Sequence, residues 1–483
     1  MSMLVIDIGS TGVRAAVVRS DTSIEHLHYR EVLPSTPVQG FMEYDGRGLA
    51  GAILEVARAS LAGAGSVDAV GITNQRATTL LWDRATGEPL GPAVSWQDLR
   101  TVGMCLAFRA QGLRMAPNTS ASKLVFLLDL ADPDRKRAEA GELCFGTIDT
   151  WAAWTLSRGA VHATDPSNAA VTDLLRTDAS GWAPEVLDAL RIPPSVLPEI
   201  VNSSGVFGEA ANLDGSPPMA GLAGDQQASL MGQSCTSPGQ AKATFGTGGM
   251  LDVCVGPVRP AFETRGGAGC YPIVAWRLRG ETTWGVEAAM LTAGSAVTWL
   301  RDDMGLISSP EESAEIAATC EHTDDVWFVP ALVGVGTPDW DFGARGTLIG
   351  LTRGTGRAEV VRAVLEGVAH RGADLLEAAE ADGQRRVETL RVDGGMSANS
   401  VFTQALADAC AKPVELSPVT EATTLGAAFL AGVAVGTWST DDIGDLWKPR
   451  AIVEPKRATE RDRWREAKQR ALRQVPELSA LEF

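Results

Sequence analysis

A chain of 483 residues is longer than one hydrophobic core normally supports, so two large domains are the expectation. With 45% hydrophobic and 21% charged residues, the composition is that of a soluble globular protein. A formal net charge of −18 argues against nucleic acid or an anionic membrane as partner, and an anionic ligand must therefore be held by local geometry.

The chain opens with "LVIDIGSTGVRAAVV", Leu4 to Val18. Leu4, Val5, Ile6 and Ile8 suit a buried strand, Gly9 to Gly12 a turn, and Ala15 to Val18 a second strand. Asp7 fits a plain hairpin badly, because a carboxylate in a buried strand is costly unless paired or bound to a cation. A phosphate turn uses the same residues better. Small residues let backbone N–H groups approach an anion, Ser10 and Thr11 add hydroxyls, Arg14 adds positive charge, and Asp7 would hold hydrated magnesium. From these residues alone the two readings stand level.

Further strands are predicted at Ala69–Thr73, Thr79–Trp82, Ala241–Phe245, Leu251–Val255, Trp327–Val329 and Leu390–Val392. Helices are predicted at Gly48–Ala62, Lys123–Ala131, Ala288–Arg301, Ala358–Ala381 and Val401–Ala411. The Gly/Pro/Ser-rich stretch Gly232–Gln240 marks the domain boundary, giving domains over 1–234 and 235–440 and a helical tail over 441–483 packed on or beside the fold. The stretch "AKATFGTGGMLDVCV", Ala241 to Val255, echoes the opening motif as strand, threonine-bearing turn and strand. Two such units, one opening each half, suit a duplicated nucleotide-binding architecture with the ligand between. The charged tail Pro455–Gln474 reads as a solvated helix.

Several signals are set aside. Gly46, Gly48 and Gly51 match GxGxxG formally, but no apolar strand immediately precedes them, and Asp45 reads better as a helix cap. No Gly-Lys pair occurs, so there is no Walker A loop, and there is no GxSxG elbow. Seven dispersed cysteines without CxxC, and no signal peptide before the first motif, point to reduced thiols in a cytoplasmic protein. The longest apolar run, near Ala427 to Trp438, is too short to span a bilayer.

Nine stretches in order are similar to the FGGY family of carbohydrate kinases, on its glycerol kinase side. They are "GITNQRATTLLWD", "SWQDLR", "GTIDTWAAWTL", "AGDQQASLMGQ", "TFGTGG", "AGSAVTWLRD", "DWDFGARGTLIGLTRGT", "LRVDGGMSAN" and "EATTLGAAFLAG". The resemblance implies an α/β fold of two ribonuclease-H-like domains, of the actin and hexokinase type, flanking an ATP-binding cleft. It implies ATP and magnesium as cofactors and transfer of a phosphoryl group to a hydroxyl of a small polyol or sugar. A homodimer or higher homo-oligomer is the expected assembly.

By the same resemblance, Asp225 in "AGDQQ" is the catalytic base, although an aspartate there would also suit an ordinary helix cap. Asp7 lies near magnesium, through water, and Ser10, Thr11, Gly12 and Arg14 surround the phosphates. Thr247 and Gly248 meet the β- and γ-phosphates, and Gly394, Gly395 and Asn399 form the adenosine site. Gly294 and Thr298 line the nucleotide pocket, with Thr298 standing where glycerol kinases carry glutamine.

The acceptor site is assigned to Arg76, Ala77, Trp96, Asn118, Asp225 and Gln226. Ala77 replaces a glutamate and Asn118 a tyrosine of glycerol kinases. Losing a charged hydrogen-bond partner removes ~1.5–3 kcal/mol, so the acceptor is expected not to be glycerol, or not glycerol alone. A ketopentose kinase of the xylulokinase or ribulokinase type is the nearest alternative. An actin- or chaperone-like ATPase without a small-molecule acceptor is the alternative from another class.

Overall fold

The computed structural model describes residues 1–481. Thirteen strands, β1 to β13 in chain order, join into one sheet through the middle of the molecule. The first half contributes β1 (Ser2–Ile8), β2 (Gly12–Arg19), β3 (Ile24–Glu31), β4 (Ala69–Asn74), β5 (Ser204–Glu209) and β6 (Pro218–Gly224). The second contributes β7 (Ala241–Phe245), β8 (Gly249–Gly256), β9 (Tyr271–Leu278), β10 (Glu281–Met290), β11 (Leu390–Asp393), β12 (Val414–Leu416) and β13 (Ala451–Val453). The spatial order is β13-β12-β11-β7-β8-β10-β9-β5-β6-β4-β1-β2-β3. Between β5 and β9, where the halves meet, the sheet is continuous through the pairing of Ser204 with Leu278.

Position in the sheet explains the sequence of each strand. β1 is buried along its whole length, as a strand covered on both faces should be, and it reads as a near-continuous apolar run. β3 is an edge strand, mostly exposed, and carries the charged and polar residues that discourage a further strand from pairing there.

Each half opens with the same topology. The antiparallel hairpin β1–β2 has β4 parallel to its first strand, and the hairpin β7–β8 has β11 parallel to its first strand. The echo seen in the sequence is thus a repeat of architecture. Each half has its own core, one around Leu4, Ile6, Ile53 and Ile72, the other around Phe245, Val253, Val368 and Phe402. A third core, containing Met3, Val5, Leu230, Ala275, Leu425 and Phe429, draws on both halves. At its centre the helices Asp225–Gly232 and Ala422–Val435 cross almost backbone to backbone. A Cβ on Gly426 would lie 1.7 Å from the Ala228 carbonyl oxygen, and one on Gly232 would lie 1.9 Å from that of Ala422.

The helix over 46–64 starts where its sequence indicates, with the Asp45 carboxylate accepting from the N–H groups of Arg47 and Gly48, both at 3.1 Å. Two expectations need correction. Ala288–Arg301 is not one helix: residues up to Met290 belong to β10, and a helix begins only at Gly294. Ala288 and Ala289 have good helix propensity, but they pair with Leu251 and Met250 of β8, and the ladder decides. The tail over 455–474 is not a solvated face. Its helix spans Arg461–Ala471, with Trp464 and Ala471 fully buried against Val329, Ala331 and Val335. Among the described residues all seven cysteines are free, and no helix is long and apolar enough to cross a membrane.

Candidate active site

Strand register brings the first group of polar residues together. Ile8, Asn74 and Gly224 lie in one row across the parallel strands β1, β4 and β6. Asp7, the segment Gln75–Ala77 and Asp225 therefore emerge together at the carboxyl ends of these strands, where open α/β sheets bind ligands. Arg14 is directly cross-strand from Asp7, with Nε 3.8 Å from Oδ2, and it also pairs with Glu421. Burial pushes the Asp7 carboxyl up to about 7, with Arg14 opposing and the charges of Asp225 and Glu421 reinforcing. The opening stretch is a hairpin, and its aspartate is buried with Arg14 as its cross-strand partner.

The turn after β1 is held in shape by residues of "NQR". Gln75 donates to the Gly9 carbonyl at 3.2 Å and accepts from the hydroxyls of Ser10 at 3.3 Å and Thr78 at 3.2 Å. Asn74 exchanges hydrogen bonds with Asn168 at 3.0 and 3.2 Å, and the Asp165 carboxylate holds Asn168, Ser167 and Ser203. Ser167 Oγ in turn accepts from the N–H of Gly224, directly before Asp225. This cradle was missed in the sequence; its signal is "DPSN", a capped helix start with proline at the first position.

Ser10 is less free than expected, because Trp96 Nε1 donates to its hydroxyl at 3.3 Å and Tyr44 to its carbonyl at 2.8 Å. Gly12 is required by packing, since a Cβ there would stand 2.5 Å from the Arg30 carbonyl and the Tyr29 hydroxyl. The N–H groups of Ser10 and Thr11 have no acceptor among the described residues.

The second turn, Gly246 to Gly248, joins β7 to β8, and the N–H groups of Thr247 and Gly248 likewise have no acceptor among the described residues. Its carbonyls are taken by the start of the helix Gly294–Asp302: Gly294 N–H donates to Gly246 O at 2.8 Å and Ala293 N–H to Thr247 O at 2.9 Å. Thr298 is exposed on that helix. Gly394 follows β11 with φ +83°, and a Cβ there would strike the Phe245 backbone at 2.5 Å, whereas Gly395 faces open space. Asn399 is already committed. Its side-chain oxygen caps the helix Ser400–Cys410 through Val401 and Phe402, and its amide donates to Ser313 at 3.0 Å. A ring contact from Asn399 would compete with that cap.

Asp225 is the first residue of the helix Asp225–Gly232, and the cap position is Gly224, so the capping reading of this carboxylate fails. Its Oδ1 accepts from Gln226 N–H at 2.8 Å and lies 3.6 Å from Arg76 Nε. Burial among protein atoms in the cleft raises its pKa, and Arg76 opposes that. Arg76 also donates to Glu287 at 2.8 Å, and its Nη1 is a buried donor without a partner.

A row of charges behind Asp225 escaped the sequence reading. Lys242, Asp252 and Glu287 are cross-strand neighbours on β7, β8 and β10. Two acids side by side repel, and cations at both ends offset this: Lys242 Nζ is 2.7 Å from Asp252, and Arg76 holds Glu287. Burial and the Glu287 charge still raise the Asp252 pKa, with Lys242 opposing. Lys242 also donates to Gln226 Oε1 at 2.6 Å, so the first half's Gln226 is fixed by the second half's lysine.

Of the remaining acceptor residues, Ala77 is buried in a left-handed turn with φ 61°, its carbonyl accepting from Thr79 and Ser120. Asn118 lines a cavity of about 480 Å³ whose wall includes Tyr271, Glu287 and Trp340. The loop bearing Asn118 is fixed from below by buried Lys123, which donates to the carbonyls of Pro117 and Thr119 at 2.8 Å each. Burial holds the Lys123 pKa down to about 7. Among the described residues no cluster of three His, Cys, Asp or Glu side chains could hold a metal by itself.

Two halves that repeat one topology of hairpin plus parallel strand, each with a turn whose N–H groups lack an acceptor among the described residues, define a two-domain fold of the actin and hexokinase type. Family models agree. The FGGY family of carbohydrate kinases, N-terminal domain, matches residues 2–232, and its C-terminal domain matches residues 241–435. The chain belongs to the FGGY family of carbohydrate kinases, and is an ATP-dependent, magnesium-using phosphotransferase. This removes the chaperone-like alternative.

Among curated relatives, the chain is 43% identical to a glycerol kinase of Bordetella parapertussis (96% of each chain) and 42% identical to one of Deinococcus radiodurans (97% of each). Among solved structures it is similar to Plasmodium falciparum glycerol kinase with ADP, with a TM-score of 0.89 and 28% identity, covering 100% of this chain and 99% of that one. A xylulose kinase from Rhodospirillum rubrum shares the fold, with a TM-score of 0.83 and 20% identity over 97% and 98% of the two chains.

Proposed function

We propose that the protein phosphorylates a polyol or sugar hydroxyl, with an acceptor longer than glycerol or with such acceptors in addition to glycerol. The observation that carries the transfer chemistry is the Asp225 carboxylate, beside Arg76 and at the same strand ends as the turn that follows Asp7. A hydroxyl brought to Asp225 loses its proton to that carboxylate as its oxygen bonds to phosphorus. Arg76, steadied by Glu287, has an unused donor to orient the acceptor. Trp96 provides an apolar wall, and Gln226 is preset by Lys242. The free N–H groups of Ser10, Thr11, Thr247 and Gly248, with Arg14, are suited to the phosphate oxygens. Of the glycines assigned to the nucleoside, Gly395 faces open space, while Gly294 and Gly394 let the chain pack closely on Gly246 and Phe245, and Thr298 is exposed on the adjoining helix. Magnesium, when bound with the nucleotide, neutralises phosphate charge, and Asp7 would hold it through water.

The acceptor assignment is supported by Ala77, which offers no side-chain acceptor, and by the cavity at Asn118, which is roomy for a three-carbon triol. Asp225, Arg76, Trp96 and Gln226 are not on its wall, and Glu287, the ion-pair partner of Arg76, is the link to them. The names of the curated relatives favour glycerol itself, so the two must be weighed by experiment. Purified protein is assayed for ADP release with glycerol, erythritol, pentitols and ketopentoses. A higher kcat/KM for a longer polyol than for glycerol is the expected result. A ketopentose as best substrate would move the assignment to the ketopentose kinases, and glycerol ahead by a wide margin would refute the acceptor claim.

A further inference from the structure

We propose that the C-terminal segment from Arg461 to Leu481 supplies the third wall of the acceptor cavity and selects the length of acceptor admitted. This rests on reading that cavity as the acceptor site.

The cavity takes Asn118 from the first half, Glu287 and Trp340 from the second, and Ser479 and Leu481 from the tail. Trp340 is held in a conformation that large side chains seldom adopt, with φ 47°. Its Nε1 donates to the Gly269 carbonyl at 2.7 Å, and its ring stands edge-on to Tyr271 with centroids 5.1 Å apart. Such strain persists only where the surroundings over-determine it, and it gathers at functional sites.

The indole is held by Gly269 and Tyr271, and the residues on either side of it are held by the tail. On one side of Trp340, Asp339 pairs with Lys468 at 2.9 Å. On the other, Asp341 accepts from the Arg473 N–H at 2.7 Å and from the Ser479 hydroxyl at 2.6 Å. Val475 N–H donates to the Gly343 carbonyl at 3.0 Å, and the contact is so close that a Cβ on Gly343 would lie 2.0 Å from Ser479 Oγ. The same segment thus clamps the aromatic wall and adds two residues of its own to the cavity. The nucleotide turns lie outside this contact set, so the tail acts on the acceptor and not on ATP.

The test measures kcat/KM for glycerol and for longer polyols, together with KM for ATP and the melting temperature. It uses the full chain and the variants Ser479→Ala, Leu481→Ala and Gly343→Ala. The expected result is a change of about tenfold in the ratio of kcat/KM between long and short acceptors, with KM for ATP unchanged. If Gly343→Ala fails to fold, the two milder variants decide. An unaltered acceptor profile in folded Ser479→Ala and Leu481→Ala overturns the proposal while leaving the kinase reading intact. Wild-type protein whose ATP turnover no polyol or sugar stimulates defeats both.

Discussion

Asp225 and Arg76, 3.6 Å apart, form the pair on which the proposed acceptor chemistry rests. Replacing the carboxylate by an amide of the same shape removes the proton acceptor and spares both phosphate turns. Asp225→Asn is therefore expected to lose at least about a hundredfold in kcat while binding ADP as the wild type does. Calorimetric titration with ADP beside a turnover assay checks this, and retained turnover would show that another group takes the proton. The pH dependence follows from the same pair. Transfer requires the ionised carboxylate, burial raises its pKa, and Arg76 opposes the rise. The acid limb of kcat/KM is accordingly expected above the ordinary aspartate range, and Arg76→Met is expected to move it to still higher pH. A limb that stays put or moves down in that variant would contradict the electrostatic assignment. At this scale the sequence was legible in local structure, as in the hairpin turn after Asp7, the turn at Thr247 and the helix that starts at Asp225. It was illegible at Lys242, Asp252 and Glu287, which are distant in the chain and become one charged row only through strand register.

The tail helix Arg461–Ala471 shows how an element with a charged sequence becomes part of a core. Trp464 stacks on His370 of the helix Arg357–Gly383, with centroids 5.1 Å apart, and donates to Asp374, which also receives Arg371, Arg461 and Lys468. Burial, aided by the Arg461 charge, drives the His370 pKa down to about 3. The unfolded chain binds a proton at His370 below about pH 6.5 while the folded chain refuses it. His370 thus lets stability stand in full above that pH and lowers it as pH falls toward 3, by about 1.4 kcal/mol per unit. His370→Phe keeps a ring over Trp464 and removes the titration. Urea denaturation at several pH values between 5 and 7 is expected to show a shallower loss of stability for the variant on acidification than for the wild type. Equal slopes would mean that His370 is not held neutral by the tail. The sequence misled here because only one face of this helix, carrying Trp464, Ala467 and Ala471, is apolar, and its partner strand lies more than a hundred residues earlier.

At the scale of the whole molecule, two halves that share one sheet also share a core. Met3 and Val5 of the first half, Ala275 of the second and Leu425 and Phe429 of the crossing helix bury one another. Neither half can expose its surface there without stripping the other. Unfolding is therefore expected as a single cooperative transition, with calorimetric and van't Hoff enthalpies in agreement, although chains of this length often unfold in steps. Two resolved calorimetric peaks would show that the shared core is weaker than its burial implies. The alternation of strands and helices, the two glycine- and threonine-bearing turns and the helix start at Asp225 were determined by the sequence alone, because each depends on neighbours only a few residues away. The row that brings Asp7 and Asp225 to one end of the sheet, the charge row behind Asp225 and the tail's place beside Trp340 were decided by tertiary structure. Those relations join residues tens to hundreds of positions apart, and strand register and close helix crossing, neither of which leaves a local pattern, bring them within reach.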